Sequence, residues 1–407
     1  MKLLLKSTKI LIYSVLLVIA CGLTVFAGDR IDRKQYKYHW EYNFAGQYAR
    51  VTVRKNVTDL TSTEKKAFVK AIKTLKTIIP VGSKVSIYDQ FVAIHLGATR
   101  LIHNHKGHSD GSVQELAHEN AAFFPWHREY IRRFEQALQA VDPNVSLPYW
   151  DWTDPKALDV IFNDDFLGSN GQGVTIKIPD RGKFTGGLVK SGAFAAANGW
   201  VMNPALNIDP DTATSLGTSL VRFLRVPPAN AYPLPKKDIQ RALALNDYSL
   251  FRAALEGFIS VDEQGKVTSG GFIHNYIHGL VGGVQIDAST TPIKFKGLGT
   301  MSNIPSSPYD PVFWLHHANV DRLWIEWQDN GHQGSNFYPA KNQPYGHNLK
   351  DRMWPWDGGM STPKATALGN LLPLLPKFDS DDLVRPIDVL DYRKLGYTYE
   401  TRKNRTT

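Results

Sequence analysis

Apolar positions along this chain recur at three- and four-residue intervals in several separate stretches, which is the pattern of helices that bury one face. The clearest run extends from Ala67 to Ile78. Thr61 and Glu64 form a capping box before this run, and Pro80 ends it. The same pattern predicts further helices over residues 85–101, 125–140, 246–258 and 311–327.

Two of these helices also carry a start signal. Pro125 suits the first turn of a helix, because the N–H that proline lacks would have no intrahelical partner there. Asp310 and Pro311 form a pair in which the aspartate caps a helix and the proline takes its first position. We therefore expect helices to begin near residues 125 and 311.

Other regions lack helical periodicity. Residues 35–53 are rich in Tyr and β-branched side chains and are predicted to be extended. Residues 153–245 are rich in Gly, Pro, Asn and Asp, which predicts long loops, and the last hundred residues are similar. No internal repeat or low-complexity stretch interrupts the chain. We interpret residues 153–245 as loops between two halves of one site in a mainly α-helical protein.

The first 27 residues are predicted to be a targeting segment. Three lysines precede a stretch over residues 10–27 that is apolar and carries no charge. Val25–Ala27 offers a small-residue cleavage site, whereas the sequence before Cys21 resembles a bacterial lipobox. A third alternative is an uncleaved anchor, since 18 apolar residues are just enough to span a bilayer. All three alternatives predict export, to a secreted, periplasmic or membrane-anchored position.

Composition narrows the classes of function. The net charge is +9, but Lys and Arg are spread along the chain and no nucleic-acid-binding motif is present, so nucleic acid is not an expected partner. Cys21 is the only cysteine. A disulfide within the chain is therefore impossible, and so is a thiolate metal ligand after the targeting segment.

The candidate chemistry lies in two histidine-rich blocks. The first is HENAAFFPWH, residues 118–127. The second comprises HNYIH, residues 274–278, and DPVFWLHHANVDRLW, residues 310–324. His274 and His278 stand four residues apart, so on a helix they share one face and can bind one metal ion. The residue after His274 is asparagine, so this is not the HExxH motif of a zinc protease.

The adjacent pair His316 and His317 requires a choice. On a helix the two side chains point about 100° apart, so one of them is expected to bind the metal. Asp321 lies four residues after His317 and is predicted to accept the free ring N–H of that histidine. This favours His317 as the ligand and gives His316 a supporting or packing role.

The ligand set indicates the metal. Sites made only of imidazole suit copper, zinc, iron and nickel. Two clusters of neutral imidazoles, one from each half of the chain, suggest two ions side by side with positions open for dioxygen, which favours copper. A di-zinc hydrolase is the alternative, but such enzymes usually employ bridging carboxylates, and these blocks offer none.

At this point the sequence resembles a known family. Residues 118–135 and 310–324 are similar to the two copper-binding signatures of tyrosinases, catechol oxidases and related type 3 copper proteins. Shorter segments also resemble the family, namely Arg54 with DLT (59–61), SIYDQFVAIH (86–95), LPYWDW (147–152) and KLGYTYE (394–400). The resemblance covers about residues 50–400.

The resemblance implies a four-helix bundle that holds a dinuclear copper site, with long loops and a few short strands. It assigns three histidines to each copper. The ligands of CuA are His95, His118 and His127, and those of CuB are His274, His278 and His317. Phe313 matches an aromatic ring that packs over the copper pair.

His95 has competitors nearby. His103, His105 and His108 lie between it and His118. The YDQFVAIH context selects His95, and we interpret the other three as a surface turn, although a role in handling incoming copper is an alternative.

Two further residues are implied to act in catalysis. Asn275 matches a position at which hydroxylating members use an asparagine to orient a water molecule against a glutamate base. Glu256 matches that glutamate, and Glu263 is the second choice because an apparent insertion separates Glu256 from His274. Gly279, where bulkier residues often occur, suggests an open approach to CuB.

Two departures resemble bacterial members of the family. A cysteine–histidine thioether is impossible because the only cysteine is Cys21, and only seven residues follow Glu400, so no covering C-terminal domain is expected. The expected organisation begins with a targeting segment over residues 1–27 and an extension over residues 28–49. A dicopper domain over residues 50–400 and a tail over residues 401–407 follow.

The resemblance implies an exported enzyme that hydroxylates monophenols and oxidises o-diphenols to o-quinones with dioxygen. The alternative is an oxidase of o-diphenols or o-aminophenols without efficient hydroxylation. A dioxygen carrier would normally block the site with an extra segment, which the sequence does not show. Expected partners are small phenolic substrates and a copper-loading chaperone, with membrane contact only through the N-terminal segment.

Overall fold

The amphipathic run after Thr61 forms the first helix of the computed structural model, which describes residues 51–100, 103–105, 115–287, 294–363 and 371–401. Helix α1 spans Ser62–Thr77 and buries Phe68, Ile72 and Leu75 on one side. The capping box is confirmed, because the Thr61 hydroxyl accepts the Glu64 N–H while the Glu64 carboxylate accepts the Thr61 N–H.

The four further helices that were predicted are present, and the others include three that lie in regions predicted to be loops. The remaining helices are α2 (Ile87–Arg100), α3 (Phe123–Val141), α4 (Ala157–Ile161), α5 (Lys236–Leu243), α6 (Tyr248–Glu256), α7 (Ile273–Gly282), α8 (Val312–Asp329) and α9 (Pro386–Val389). Within the described ranges, no helix is both long enough and apolar enough to cross a membrane.

The two predicted start signals are each displaced by one or two residues. Helix α3 begins at Phe123, so Pro125 takes its third position, where a missing N–H still has no intrahelical partner. Helix α8 begins at Val312, one residue later than expected. The Asp310 carboxylate accepts the Val312 N–H at 3.2 Å and also forms a buried ion pair with Arg222.

The prediction of long loops over residues 153–245 is partly wrong. Strands β3 (Gln172–Ile178) and β4 (Gly182–Leu188) form an antiparallel hairpin, and β5 (Val221–Arg222) adds a third strand. Most side chains of β3 are exposed, so the strand carries little of the apolar alternation that marks a half-buried strand. The sequence signal was therefore weak.

The other strands are short. They are β1 (Thr52–Arg54), β2 (His103–His105), β6 (Ile259–Val261), β7 (Val267–Ser269), β8 (Val284–Asp287), β9 (Lys294–Gly297), β10 (Ser361–Pro363) and β11 (Tyr397–Tyr399). Strand β1 pairs in parallel with β11, which joins the two ends of the described chain. The expected extended segment, residues 35–53, is described only from Val51 onward, and the targeting segment lies outside the described residues.

The interpretation of HNHKGH as a surface turn is wrong for its first three residues. Residues 103–105 form β2, which pairs in antiparallel register with β10. Residues 106–108 lie outside the described ranges.

Four helices, α2, α3, α7 and α8, form the predicted bundle. Aromatic stacking fixes α3 against α8, since the rings of Phe134 and Trp314 lie parallel with centroids 3.5 Å apart. Phe91 of α2 contacts both rings edge-on. Offset and edge-to-face aromatic pairs add to the hydrophobic stabilisation of a core. The bundle is therefore rigid where the histidines of the two blocks project inward.

Candidate dinuclear metal centre

Three histidines from the first half of the chain meet in the bundle. His95 lies on α2, His127 on α3 and His118 in the loop between them, and all three are buried. Each ring is held through its Nδ1 atom. The Nδ1 of His95 lies 3.0 Å from the Pro305 carbonyl, and that of His127 lies 2.8 Å from the Phe123 carbonyl. The Nδ1 of His118 lies 3.1 Å from the Glu115 carboxylate. These contacts place the proton on Nδ1 and leave each Nε2 with a free lone pair.

The three Nε2 atoms have no hydrogen-bond partner among the described residues. They are buried, and the ligand atoms of the three rings lie within 4.8 Å of one another. A buried acceptor without a partner costs free energy. Three such acceptors that converge on one point are the arrangement of a metal site.

Four histidines from the second half form the other cluster. His274 and His278 project from one face of α7, as their spacing predicted, and His316 and His317 come from α8. The Nδ1 of His278 donates to the Met301 carbonyl at 2.7 Å. The Nδ1 of His274 donates to the Glu256 carbonyl at 3.0 Å.

The spacing of the second cluster fits one ion. The Nε2 of His274 lies 3.3 Å from that of His278 and 3.4 Å from that of His317. Since both α7 rings carry their proton on Nδ1, no proton lies between the His274 and His278 Nε2 atoms. Nitrogens that bind one ion tetrahedrally at about 2.0–2.1 Å lie about 3.3–3.4 Å apart, so the observed separations match a shared cation.

The two clusters are adjacent. The rings of His127 and His317 stack with centroids 4.2 Å apart and an interplanar angle of 13°. The Phe313 ring lies 4.2 Å from that of His317 and 5.1 Å from that of His95, so it contacts both clusters.

Electrostatics keep the imidazoles in the ligand form. Burial lowers the pKa of His118 to about 3 and that of His278 to about 4. Burial, with the neighbouring histidines, lowers the pKa of the other five well below the ordinary value. All seven rings are therefore neutral at pH 7, which metal binding requires.

The predicted contact between Asp321 and His317 is wrong. The Asp321 carboxylate accepts hydrogen bonds from Arg54, Arg128, Tyr397 and Tyr399. Two guanidinium groups stabilise a buried carboxylate more than a neutral imidazole does. The Nδ1 of His317 has no partner among the described residues.

His316 differs from His317 in its surroundings. Its ring lies parallel to that of His274, with centroids 4.7 Å apart, and 5.1 Å from the Trp152 ring. Neither ring nitrogen of His316 has a hydrogen-bond partner in the described part of the chain. His317, in contrast, places Nε2 at ligand spacing from His274.

Glu256 lies at the end of α6, where it contacts His274 of one cluster and the residue that follows His118 of the other. Its Oε1 accepts the backbone N–H of Glu119, the residue after His118, at 2.6 Å, while its own carbonyl accepts from His274. Its Oε2 accepts from Arg252 at 2.7 Å. Burial raises the pKa of Glu256 to about 7, although Arg252 opposes the shift.

Asn275 lies beside His274 as well. Its Oδ1 is 3.0 Å from the His274 Nδ1, so two acceptors flank that nitrogen. The second-choice glutamate, Glu263, is exposed on the β6–β7 turn and pairs with Arg241 at 2.5 Å. The structure therefore brings Glu256, and not Glu263, to the histidines.

The expectation that Gly279 opens the approach to CuB is wrong. Gly279 is buried, and a Cβ atom added there would lie 3.1 Å from the Val284 side chain and 3.2 Å from that of Ala229. The glycine permits close packing at this position.

Several groups at the site were not predicted. The carbonyls of Met301 and Pro305 come from short 3-10 segments before α8 that carry no recognisable motif, and backbone acceptors leave no mark in a sequence. Arg252 had a usable signal, because it precedes Glu256 by four residues and therefore shares its helix face.

Comparison with known proteins agrees with this geometry. Residues 85–330 match the family model described as the common central domain of tyrosinase. A tyrosinase of Streptomyces glaucescens is 35% identical over 317 residues, which cover 75% of this chain and 93% of the relative. Grixazone synthase of Streptomyces griseus is 30% identical over 336 residues, covering 75% of this chain and 94% of the relative.

A solved structure shares the fold. The tyrosinase from Burkholderia thailandensis aligns with a TM-score of 0.50 and 19% identity over 86% of this chain and 73% of that protein. The family binds two copper ions through histidine clusters, with dioxygen as co-substrate, and the two clusters here fit CuA and CuB. With its central domain matched over more than half of its length, the chain belongs to the tyrosinase family and is a bacterial-like copper oxidoreductase of that type.

Proposed function

We propose that this copper oxidase hydroxylates monophenols at the ortho position and oxidises o-diphenols to o-quinones. The observation that supports hydroxylation is the buried carboxyl of Glu256, whose pKa is raised to about 7 by burial beside both histidine clusters. A group that titrates near neutral pH can accept the proton of a phenol, whose own pKa is near 10.

The two reactions need no further reductant. One monophenol and one dioxygen give one o-quinone and one water, while two o-diphenols and one dioxygen give two o-quinones and two waters. Copper, when bound, supplies the exchange of electrons between the phenol and dioxygen.

We assign the copper ligands as the resemblance implied. His95, His118 and His127 would hold CuA, and His274, His278 and His317 would hold CuB. The free Nε2 lone pairs and the 3.3 and 3.4 Å separations support this set. We give His316 a packing role, because its ring lies against those of His274 and Trp152.

We assign the proton transfer to Glu256 and a positioning role to Asn275. Glu256 takes the phenol proton, directly or through a water that Asn275 helps to orient. Asn275 also flanks the His274 Nδ1, so it orients that ligand. Both residues therefore act on the CuB side.

One observation favours the alternative, an oxidase of o-diphenols or o-aminophenols with little hydroxylation. Both carboxylate oxygens of Glu256 already accept hydrogen bonds, one from Glu119 and one from Arg252. A carboxylate has about four acceptor sites, so capacity for a phenol proton remains, but a salt bridge reduces basicity.

The deciding experiment is oxygen uptake by the copper-loaded full chain. Tyrosine, tyramine, catechol and o-aminophenol are supplied separately, with His317→Ala as the inactive control. We expect uptake with the monophenols and with catechol. Uptake with catechol or o-aminophenol alone would move the function to the alternative.

We also propose that the chain is exported and receives copper from a partner protein. The apolar stretch over residues 10–27 supports export, and the burial of every histidine in the clusters supports assisted loading. Fractionation of cells that express the full chain or Cys21→Ser, with N-terminal sequencing, separates cleavage, lipidation and anchoring. Complete loading of the metal-free chain by free copper within minutes would argue against a required partner.

A further inference from the structure

One surface of the molecule combines positive charge with a shallow groove. Lys66, Lys70 and Lys73 follow one side of α1 at intervals of four and three residues, and they line a groove of about 440 Å³ that also includes Thr77 and Asp165. Residues at this spacing share a helix face. Among the described residues, no carboxylate forms an ion pair with these three lysines, and the Lys73 ammonium donates to the Asn198 carbonyl at 2.8 Å.

The loop that follows α1 begins directly after Thr77, which lines the groove, and it exposes two apolar side chains. Ile79 is 61% exposed and Val81 is 98% exposed. The loop is ordered at its base by a hydrogen bond from the Ile87 N–H to the Ile78 carbonyl. At its tip the Ser83 N–H donates to the Pro80 carbonyl.

The turn at the tip has a defined shape. Gly82 has φ +79°, as the third residue of a type II turn requires, and this places Val81 at the outer corner. Lys84, which is exposed, follows directly. Single exposed apolar residues are common on proteins, but two in a fixed loop that begins where the lysine-lined side of α1 ends form a composite surface with those lysines.

We propose that this surface, which comprises Lys66, Lys70, Lys73, Ile79, Val81 and Lys84, docks on an anionic lipid bilayer. Lysines near such a bilayer gain from its negative surface potential, and exposed aliphatic side chains gain by entering the boundary between headgroups and acyl chains. The loop tip argues against nucleic acid, because a phosphate backbone would leave Ile79 and Val81 in water. The docking does not depend on the phenol chemistry.

The test uses the full chain, with a single cysteine labelled by a fluorophore whose emission shifts to the blue in an apolar environment. Val81→Cys and Val267→Cys are each made in the Cys21→Ser background. Val267 is a matched control, since it is a valine that is 53% exposed on β7. The vesicles contain either phosphatidylglycerol with phosphatidylcholine or phosphatidylcholine alone.

We expect the label at position 81 to shift on anionic vesicles only, and the label at position 267 to stay unchanged. Replacement of Lys66, Lys70 and Lys84 by Gln should weaken docking by roughly a hundredfold and remove most of the shift. The same replacement at Lys236, Lys237 and Lys350, which are also exposed, should leave the shift intact.

Attachment through the N-terminal segment alone gives a different result. The protein would then float with both kinds of vesicle while the label at 81 reports water, which would overturn the proposal. An equal shift at both labels, an equal shift on neutral vesicles or a shift that survives the Gln replacements would overturn it too. Circular dichroism of each variant verifies that the fold is retained.

Discussion

The guanidinium of Arg128 donates from Nε to the carboxylate of Asp321 at 2.5 Å, in a buried contact between α3 and α8. Arg128 follows His127, and Asp321 lies one helical turn after His317. The contact therefore joins the two helices directly beside a histidine from each cluster. Arg54 of β1 adds a second guanidinium to the same carboxylate at 3.1 Å, so the start of the domain is fixed at this point as well.

We predict that Asp321→Ala lowers the free energy of unfolding by about 3–5 kcal/mol, because it leaves two buried guanidinium groups without their carboxylate. Chemical denaturation of the metal-free protein measures this loss. Asp388→Ala is the control, since its pair with Arg385 is largely exposed and should contribute less than about 1 kcal/mol. Similar losses in both variants would contradict the structural role of Asp321.

The metal prediction rests on the two clusters of free Nε2 atoms. His127→Ala and His278→Ala should each bind about one copper per chain, in place of about two, when the purified protein is loaded and its metal content is measured. His332→Gln is the control, because this buried histidine stacks on Trp327 outside both clusters. Two tightly bound zinc ions in the protein as isolated, with no exchange for copper, would contradict the assignment.

The adjacent pair on α8 gives a third prediction. His317→Ala should lose the CuB ion, because its Nε2 lies 3.4 Å from that of His274. His316→Ala should retain two coppers and lose stability, because a buried ring that packs on His274 and Trp152 is removed. Metal content and denaturation of both variants distinguish the roles. The reverse pattern would show that His316 is the ligand.

The same residues show which features of the site can be predicted from the sequence and which cannot. His274 and His278 were predicted together because a spacing of four residues fixes a shared helix face. Helix α1 was predicted because apolar residues recur along the face that it buries. Local patterns of this kind depend only on neighbouring residues.

The partner of Asp321 could not be predicted in that way. Arg54 lies 267 residues from it and Arg128 lies 193 residues from it. The spacing rule offered His317, four residues away, but burial of a carboxylate requires compensating charge and therefore selected the distant guanidinium groups. The mistaken expectation for Gly279 has a similar cause, because Ala229 and Val284 close around it only in the folded chain.

Burial of seven neutral histidines gives a prediction for pH. A histidine whose folded pKa lies below its unfolded value of about 6.5 contributes stability that is present above pH 6.5 and is lost as the pH falls toward the folded pKa. For His118 and His278 that window extends down to about 3 and about 4. The raised pKa values of Glu256 and Asp382 act in the opposite direction, but among the described residues these two carboxyl groups oppose seven histidines.

We therefore expect the unfolding free energy of the metal-free protein to fall as the pH drops from about 6.5. Urea titrations at several pH values measure the slope of the unfolding free energy against pH. His118→Gln with His278→Gln should reduce the slope by up to about 2.7 kcal/mol per pH unit, since each proton contributes about 1.36 kcal/mol. A slope that does not change would mean that these histidines are already protonated, or solvated, in the folded state.

The last prediction separates proton transfer from support of the copper site. Glu256→Gln keeps the shape of the side chain but removes the base. A monophenol, whose hydroxyl has a pKa near 10, must lose its proton in the reaction, so it needs that base. We expect monophenol turnover to fall by about 10²–10⁴-fold and diphenol turnover by much less. Asn275→Ala should lower the ratio of monophenol to diphenol turnover to a smaller extent, because it alters the orientation of the water and leaves the base in place.

Arg252→Gln provides the matched test of the same base. Arg252 lowers the pKa of Glu256 against the effect of burial, so its removal should raise that pKa further above 7. The acidic limb of the monophenol pH profile should then move to higher pH, while the diphenol profile stays in place. Copper content, measured in every variant, should remain at about two per chain. Equal losses on both substrates, without a shift in either profile, would mean that Glu256 only fixes the loop of His118 and the ring of His274.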